Sequence, residues 1–391
     1  KITKRVQVND SNRFLNINLL KYLINIFGCA FLLLSVIIPP IDGLTSEGMK
    51  TVALLLFAII LWMTNIVDSS VSGLIVILLI PLLGIIPSKE VFEVFGSSLL
   101  WLLIGIMFIS VAISKVGLDR RVAYYMIRKV GRDVNGILLS IVFTGVIFSL
   151  LIPMSLGRSV MQLPICNRIL ESLKFQRGSD FGKAVMLSVP LVSVFGSIAV
   201  ITGSNGVVYS VSLYEELLGF RWDYISWFAA FFPVFIVGSL FVFILAKIVF
   251  PFENHSLSAV KTKINKEMFN MKVMTIDEKK LVVFILTLVC LWISGSFINL
   301  SIEYSTLFIS TVLFLPKIGV LSWKESAREI DWGVMFIFAA SLALARSLEE
   351  SGVAFWVGVK ISEYFVHLPI FVLVFIILLV SSILRFSFTT L

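Results

Sequence analysis

The sequence predicts an all-α polytopic membrane protein, an inverted repeat with re-entrant hairpins and broken helices whose second repeat is incomplete. Three observations predict it. The chain has 391 residues of which 58% are hydrophobic and only 14% charged, against about 25% charged in soluble domains. Apolar runs of membrane length alternate with short polar turns. The order of features in residues 71–118 also recurs 235 positions later.

The formal charge of +8 does not point to nucleic acid, because the basic residues sit in short loops beside apolar runs, which is the positive-inside pattern. Cys29, Cys166 and Cys290 lie in or at the edge of apolar segments without metal or disulfide spacing and read as reduced packing residues. His255 and His367 fall in a polar stretch and near a membrane boundary, so neither forms a proton relay or metal site by itself. The first apolar run is followed by Pro39-Pro40-Ile41-Asp42 rather than by a small-residue cleavage site, so it reads as a span and not as a cleaved leader. A chain that starts at Lys1 is expected to have its true N-terminus upstream.

Taken in order, Tyr22 to Ile38, Val52 to Val67, Val71 to Ile86 and Ser98 to Ile113 read as four membrane helices. Lys115, Arg120, Arg121, Arg128, Lys129 and Arg132 follow with only Asp119 and Asp133 among them, which marks that side as cytoplasmic. Four crossings return the N-terminus to the same side, in agreement with Lys1, Lys4, Arg5, Arg13 and Lys21. Residues 137–152 are then apolar except for Ser140, Thr144 and Ser149, and residues 160–170 carry Gln162, Pro164, Asn167 and Arg168. A spanning helix needs about 20 apolar residues, so these two runs read as arms of a re-entrant hairpin. Its tip is Pro153-Met154-Ser155-Leu156-Gly157-Arg158-Ser159. Non-helical backbone at that depth survives only where protein or a water-filled cavity covers it, which makes the tip a candidate ligand site. A span from Val185 to about Val208, an acidic external loop with Glu215 and Glu216, and a span from Ile225 to Phe250 come next. The lysine-bearing stretch 253–280 reads as a cytoplasmic linker between halves.

At the offset of 235, Leu78, Pro81, Gly84, Lys89, Glu90 and Gly117 meet Leu313, Pro316, Gly319, Lys324, Glu325 and Gly352. Segment 115–133 is strongly basic, whereas 346–363 has Arg346 and Lys360 against Glu349, Glu350 and Glu363. The two copies therefore face opposite sides, an inverted-topology repeat of the kind common in secondary transporters. The same offset places the partners of the tip at Thr389 and Thr390, so a complete second half would run roughly 95 residues beyond Leu391. The expected division is scaffold helices of the first repeat over 1–134 and its hairpin and broken helix over 135–252. The linker at 253–280, scaffold helices of the second repeat at 281–365 and the start of a second hairpin at 366–391 complete it.

Several motifs resemble one family. Pro153, Arg158 and the trailing Leu163-Pro164-Ile165 fit a tip motif of the form Pro-Ser-Thr-x-Ala-Arg before Leu-Pro-Ile, from which Met154 and Leu156 depart. Ile201-Thr202-Gly203-Ser204-Asn205-Gly206 is similar to a Thr-Gly-Thr-x-Pro-Asn broken-helix motif. Ile225-Ser226-Trp227-Phe228, Phe232-Pro233, Gly319-Val320-Leu321-Ser322-Trp323-Lys324-Glu325, Ile330-Asp331-Trp332-Gly333 and Leu348-Glu349-Glu350-Ser351-Gly352 complete the likeness. Together they resemble the divalent anion:sodium symporter family, the sodium-coupled dicarboxylate and sulfate transporters, over almost the whole chain. The resemblance implies a homodimer whose transport domain slides against a scaffold, with sodium as coupling ion and no other cofactor. It implies a multi-pass protein of the inner (plasma) membrane with a cytoplasmic N-terminus. The family often carries Trp-x-Thr-Glu in the second span, where Trp62-Met63-Thr64-Asn65 lacks the acid, which allows altered coupling.

Free amides at half-helix N-termini suit a carboxylate or sulfate, and unwound carbonyls suit sodium. The expected substrate residues are Ser155, Arg158, Ser159, Thr389 and Thr390, and the expected cation residues are Ser155, Thr202, Gly203, Ser204 and Asn205. Ser155 and Ser159 have the alternative of bonding back to a helix carbonyl. Arg158 is either one more cytoplasmic anchor or a functional or interdomain cation, including a direct partner of the anion, since a guanidinium at mid-bilayer costs about 2.5–3.5 kcal/mol on insertion scales. Asp68 reads as a solvated turn residue. No catalytic residue is expected. The expected activity is sodium-coupled transport of a small divalent anion by an elevator motion; a proton-coupled or exchange carrier, a transport-inactive receptor or assembly subunit, and a membrane enzyme are the alternatives.

Overall fold

In the computed structural model the described residues are 21–41, 43–131, 133–151, 155–172, 175, 178–252, 273–298, 300–365 and 368–387. Among them all regular structure is helical, as the composition and apolar runs require. The helices are α1 Lys21–Ile37, α2 Ser46–Thr64, α3 Ser69–Leu82, α4 Ser88–Glu93, α5 Ser98–Val116, α6 Leu118–Val130, α7 Val134–Leu151, α8 Ser155–Ser172 and α9 Asp180–Phe195. After them come α10 Asn205–Leu218, α11 Tyr224–Val249, α12 Ile276–Ile298, α13 Ile302–Val312, α14 Trp323–Glu329, α15 Trp332–Glu350, α16 Val353–Phe365 and α17 Ile370–Ser387. Helices α2, α5, α11, α15 and Asp180–Ile198 are long and apolar enough to cross a membrane.

The starts of these helices are written in short polar side chains. Thr45 accepts from the Gly48 amide, Asp68 from Ser70, Ser179 from Gly182, Ser301 from Tyr304 and Asp331 from Gly333. Each satisfies a donor that the first turn leaves free, an effect of about 1 kcal/mol. Asp68 is thus a helix cap, and its bonds from Ser70 hold its carboxyl below the usual range.

The repeat found in the sequence extends to the elements. Moved by 235 residues, α6 falls on residues 353–365, the range of α16, and α4 and α5 fall within one residue of α14 and α15 at their starts. Gly117 and Gly352 both close a helix with positive φ, 80° and 75°. That conformation is strained for residues with a Cβ, which explains a glycine at the same place in both copies.

The chain forms two compact units, residues 1–100 with 331–391, and residues 101–330. Each unit pairs a helix of one copy with one of the other. In the first, α3 lies against α15 so closely that a Cβ on Gly73 would sit 2.8 Å from the Phe336 carbonyl oxygen. In the second, the counterpart pair α13 and α5 meet where Gly105 faces Thr306 and Leu307. The repeated Lys-Glu turns follow the same rule. Glu90 on α4 bonds Arg346 of α15 at 3.4 Å, and its repeat partner Glu325 on α14 bonds Lys115 of α5 at 2.7 Å. The Glu90–Arg346 pair is half-exposed and the Lys115–Glu325 pair exposed, so water screens both and neither carries much of the stability.

Several expectations need correction. Glu215 and Glu216 belong to α10 rather than to a loop, because after Gly206 nothing breaks the helix until Gly219, whose φ is +63°. Cys29 and Cys290 are on exposed faces, and only Cys166 is buried. Helix α12 begins at Ile276, where Thr275 and Glu278 cap it reciprocally. His255 and His367 lie outside the described residues.

Asn65, where the acid is missing, is the left-handed C-cap of α2 with φ 47°, its N–H donating to the Leu61 carbonyl. Asn adopts this conformation at low cost because of its short polar side chain. Asn65→Gly should therefore leave the melting temperature near that of the parent, whereas Asn65→Val should cost about 1–2 kcal/mol, read as a lower melting temperature in detergent.

Candidate functional site

Helices α7 and α8 form the expected hairpin. Gln162 Nε2 donates to the Ile141 carbonyl at 2.7 Å across the two arms, a bond between residues 21 apart in sequence, as in a folded pair of antiparallel arms. Both helices have 18 residues, longer than the apolar runs, because α7 starts at Val134 and α8 takes in Ser155–Ser159, expected as non-helical tip backbone, as well as Glu171 and Ser172. The hairpin is held by a core of Ile137, Leu138, Ile141, Ile165, Cys166 and Ile169 with Phe181, Val185 and Val189 of α9.

Opposite the hairpin, the run predicted as one span from Val185 to Val208 is broken. Helix α9 ends at Phe195, a 3-10 turn follows over Gly196–Ile198, and α10 starts only at Asn205. The Gly203 N–H closes a tight turn on Val200 O at 2.8 Å. A Cβ on Gly203 would lie 2.5 Å from Ser197 O, so the turn excludes every side chain. Ser204 Oγ accepts from the Val207 amide at 3.3 Å and caps α10. From α11, Trp227 Nε1 donates to Ile198 O at 2.9 Å and anchors the break, with its ring stacked on Phe231 at 4.2 Å. Indole rings with one polar edge suit such a place.

Arg158, in the first turn of α8, is fully buried. Its Nη2 donates to Ser193 O at 2.7 Å and to Ser197 Oγ at 3.0 Å, and its Nη1 to Gly203 O at 3.3 Å. Ser197 Oγ in turn donates to Ser193 O at 3.2 Å. The structure thus brings Arg158 and Gly203, two of the expected site residues, into direct contact. It assigns Arg158 no cytoplasmic-anchor position, because an anchor keeps its guanidinium in water. Ser159 and Thr202 are buried as well. Helix α8 begins at Ser155, and α10 at Asn205. Thr389 and Thr390 lie outside the described residues.

Sequence reasoning did not single out Ser193 and Ser197. Their signal was two hydroxyls four residues apart flanking Gly196 at the end of an apolar run, where a last helical turn leaves carbonyls without intrahelical partners. Trp227 was read only as a family position and not as an anchor of the break.

A membrane protein of Cupriavidus necator is 25% identical over 345 residues, which cover 84% of this chain and 67% of the relative. A protein of Staphylococcus saprophyticus named sodium-dependent dicarboxylate transporter SdcS is 24% identical over 357 residues, 85% of this chain and 68% of the relative. A protein of the same name from Staphylococcus aureus (strain bovine RF122) is 25% identical over 358 residues, with 85% and 68% covered. The family described as "Sodium:sulfate symporter transmembrane region" matches residues 18–391. With a buried arginine of one hairpin arm set against a broken helix, in a chain matched by that family almost throughout, this is a multi-pass membrane protein of the sodium:sulfate symporter family, a transporter family and not one of enzymes.

Proposed function

We propose that the protein is a secondary active transporter that moves a small divalent anion, a dicarboxylate or a sulfate-like ion, together with sodium. The observation that carries this reading is the junction of Arg158 with Ser193 O, Ser197 Oγ and Gly203 O. It joins a buried positive charge to unwound backbone, and the named staphylococcal relatives are sodium-dependent dicarboxylate transporters. Amides at the start of α8 and the hydroxyls of Ser155, Ser159, Thr389 and Thr390 supply the donors an oxyanion needs. Arg158 supplies positive charge. Oxygens of Ser155, Thr202, Gly203, Ser204 and Asn205 receive sodium. In this reading residues 1–134 and 281–365 are scaffold, 135–252 and 366–391 carry the site, and 253–280 link the halves. The carrier works as a homodimer in the inner (plasma) membrane with its N-terminus in the cytoplasm, by an elevator motion.

The test is uptake into proteoliposomes of the full chain with succinate, sulfate and phosphate, under an inward sodium gradient and, separately, a proton gradient or an internal anion. Sodium-driven accumulation of succinate or sulfate is expected. Absence of flux under all three conditions would overturn the reading. A second reading, anion exchange or proton coupling, draws on Arg158 itself, whose guanidinium already sits on oxygens of the break; flux with internal anion alone would favour it.

A further inference from the structure

We propose that the exposed face of α6 is a binding surface for the phosphate headgroups of anionic phospholipids, in the leaflet where α5 leaves the membrane. Helix α5 is apolar enough to cross a membrane and ends at Val116, and α6 starts at Leu118 after the left-handed turn at Gly117. The chain therefore turns at the membrane boundary. The 13 residues of α6, too few and too charged to re-enter hydrocarbon, are left at the surface. One face of the helix is held by protein: Ala123, Tyr124 and Ile127 sit in the core formed with α7 and α8 at the base of the hairpin. The other face carries Arg128 and Lys129, both exposed, one turn from Tyr125, which is 52% exposed. Arg120 adds an exposed charge in the first turn. The one acid of the helix, Asp119, is 6% exposed, so the charge presented outward is positive. Guanidinium groups pair with phosphate through two parallel bonds, and a tyrosine ring suits headgroup depth. A cluster of basic side chains directly after a membrane helix is the arrangement that holds anionic lipid.

The second copy of the repeat shows that the fold itself does not demand these charges. Helix α16, the counterpart of α6, follows α15 through the left-handed Gly352 as α6 follows α5 through Gly117. It has Phe355 where α6 has Arg120, and Glu363 where α6 has Arg128. Phe355 is 78% exposed, and Glu363 is paired with Lys360 at 3.2 Å. In all, α6 has four basic residues and one acid, whereas α16 has one of each. By the charge pattern of the sequence the two copies face opposite sides, and the cytoplasmic leaflet is the one rich in anionic lipid. The difference between the two helices therefore complements the lipid that α6 meets. Arg121 takes no part, because its guanidinium is committed to Glu278. Since the buried face of α6 packs on both arms of the hairpin, headgroups held on the other face fix the base of the hairpin at the membrane surface.

The test melts the full chain in detergent with added phosphatidylglycerol, with phosphatidylcholine at the same mole fraction, and with soluble glycerol 3-phosphate. The parent should melt roughly 2 °C or more higher with phosphatidylglycerol than with phosphatidylcholine, the shift expected for a surface about ten-fold saturated. Sodium chloride at about 0.5 M should remove most of that difference. Arg120→Gln, Arg128→Gln and Lys129→Gln combined in one chain should abolish it. Arg128→Lys together with Lys129→Arg keeps the charges and should retain it, as should Lys360→Gln on α16. Should the triple variant fail to fold, Arg128→Gln and Lys129→Gln are measured singly, and each is expected to lose part of the shift. Equal melting of the parent in the two lipids overturns the proposal, and so does a full shift in the triple variant or in both single variants. An equal shift with glycerol 3-phosphate also overturns it, because the ligand would then be a free phosphate ester and not a lipid. No flux enters the measurement, so its result stands whether or not the transport reading holds.

Discussion

Gly196→Ala is expected to lower the melting temperature and to abolish transport, since the break has no room for one additional carbon. Gly196 opens the 3-10 turn that ends α9. A Cβ built there falls onto the Ser149 hydroxyl and lies 2.5 Å from Ser149 Cβ. The hydroxyl could rotate, but the Cβ cannot. Ser149 is itself 1% exposed and donates to Gly145 O at 2.8 Å, so neither partner can retreat into solvent. Overpacking of this kind costs about 1–3 kcal/mol. Relief by movement of the turn would carry Ser197 away from Arg158, so the functional loss should exceed the loss of stability. Ser149→Gly in the same chain removes the obstructing atoms and should recover most of the melting temperature, although it gives up the Gly145 hydrogen bond. Melting and succinate or sulfate uptake of both single variants and the double variant measure this directly; an undisturbed Gly196→Ala would show that α7 and the break are not so closely packed.

Arg121→Met is expected to be the most destabilising change outside the hairpin and break. Arg121 of α6 binds Glu278 of α12 through two bonds, Nε to Oε1 at 2.6 Å and Nη2 to Oε2 at 2.9 Å. The side chains are 17% and 5% exposed. Glu278 also accepts from the Thr275 amide at 2.6 Å while its own amide donates to Thr275 Oγ1 at 3.2 Å. One carboxylate therefore caps α12 and ties it to α6. Removal of the arginine leaves a buried charge with the helix cap alone, which costs about 3–5 kcal/mol. Burial acts to raise the Glu278 carboxyl, but the Arg121 and Thr275 hydrogen bonds and the guanidinium charge outweigh it and hold the group below the usual range.

A carboxyl whose folded pKa lies below its unfolded value, about 4.3, adds stability that is complete above that value and disappears as pH falls through the folded one. The parent should lose this contribution on acidification. In Arg121→Met the effect of burial is opposed only by Thr275, so acidification toward about pH 4 should recover part of the lost stability. Melting curves from pH 7 to 4 for the parent, Arg121→Met and Glu278→Gln distinguish the pair from a simple helix cap, because Glu278→Gln removes the titration altogether.

Much of the fold was legible in the chain because its signals are local. Apolar runs set the spans, and Gly117 and Gly352 showed as a repeat pair that the structure makes equivalent helix ends with positive φ; Thr45, Asp68, Ser179, Ser301 and Asp331 are local cap signals that were not read as helix starts, Asp68 being taken for a solvated turn residue. The 235-residue offset was visible from Pro81 and Pro316, Gly84 and Gly319, and the Lys-Glu pairs. The reciprocal packing of α3 on α15 and α13 on α5 was not, since Gly73 and Gly105 have no sequence mark that names the helix they approach.

The candidate site divides in the same way. Composition and order by themselves determined a helical membrane protein, a hairpin over residues 137–170, a helix break near Gly203 and an arginine at the hairpin tip. All of these follow from hydrophobic length, from backbone that a glycine leaves free, or from the cost of charge in hydrocarbon, which act within a few residues of the chain. Only the tertiary structure decided that the guanidinium of Arg158 reaches the oxygens of Ser193, Ser197 and Gly203, that Ser149 fills the space beside Gly196 and that Glu278 serves α6 as well as its own helix. Those partners are 35 to 157 residues apart in sequence and are selected by packing, because a buried charge takes whichever acceptors the folded elements place within hydrogen-bond reach.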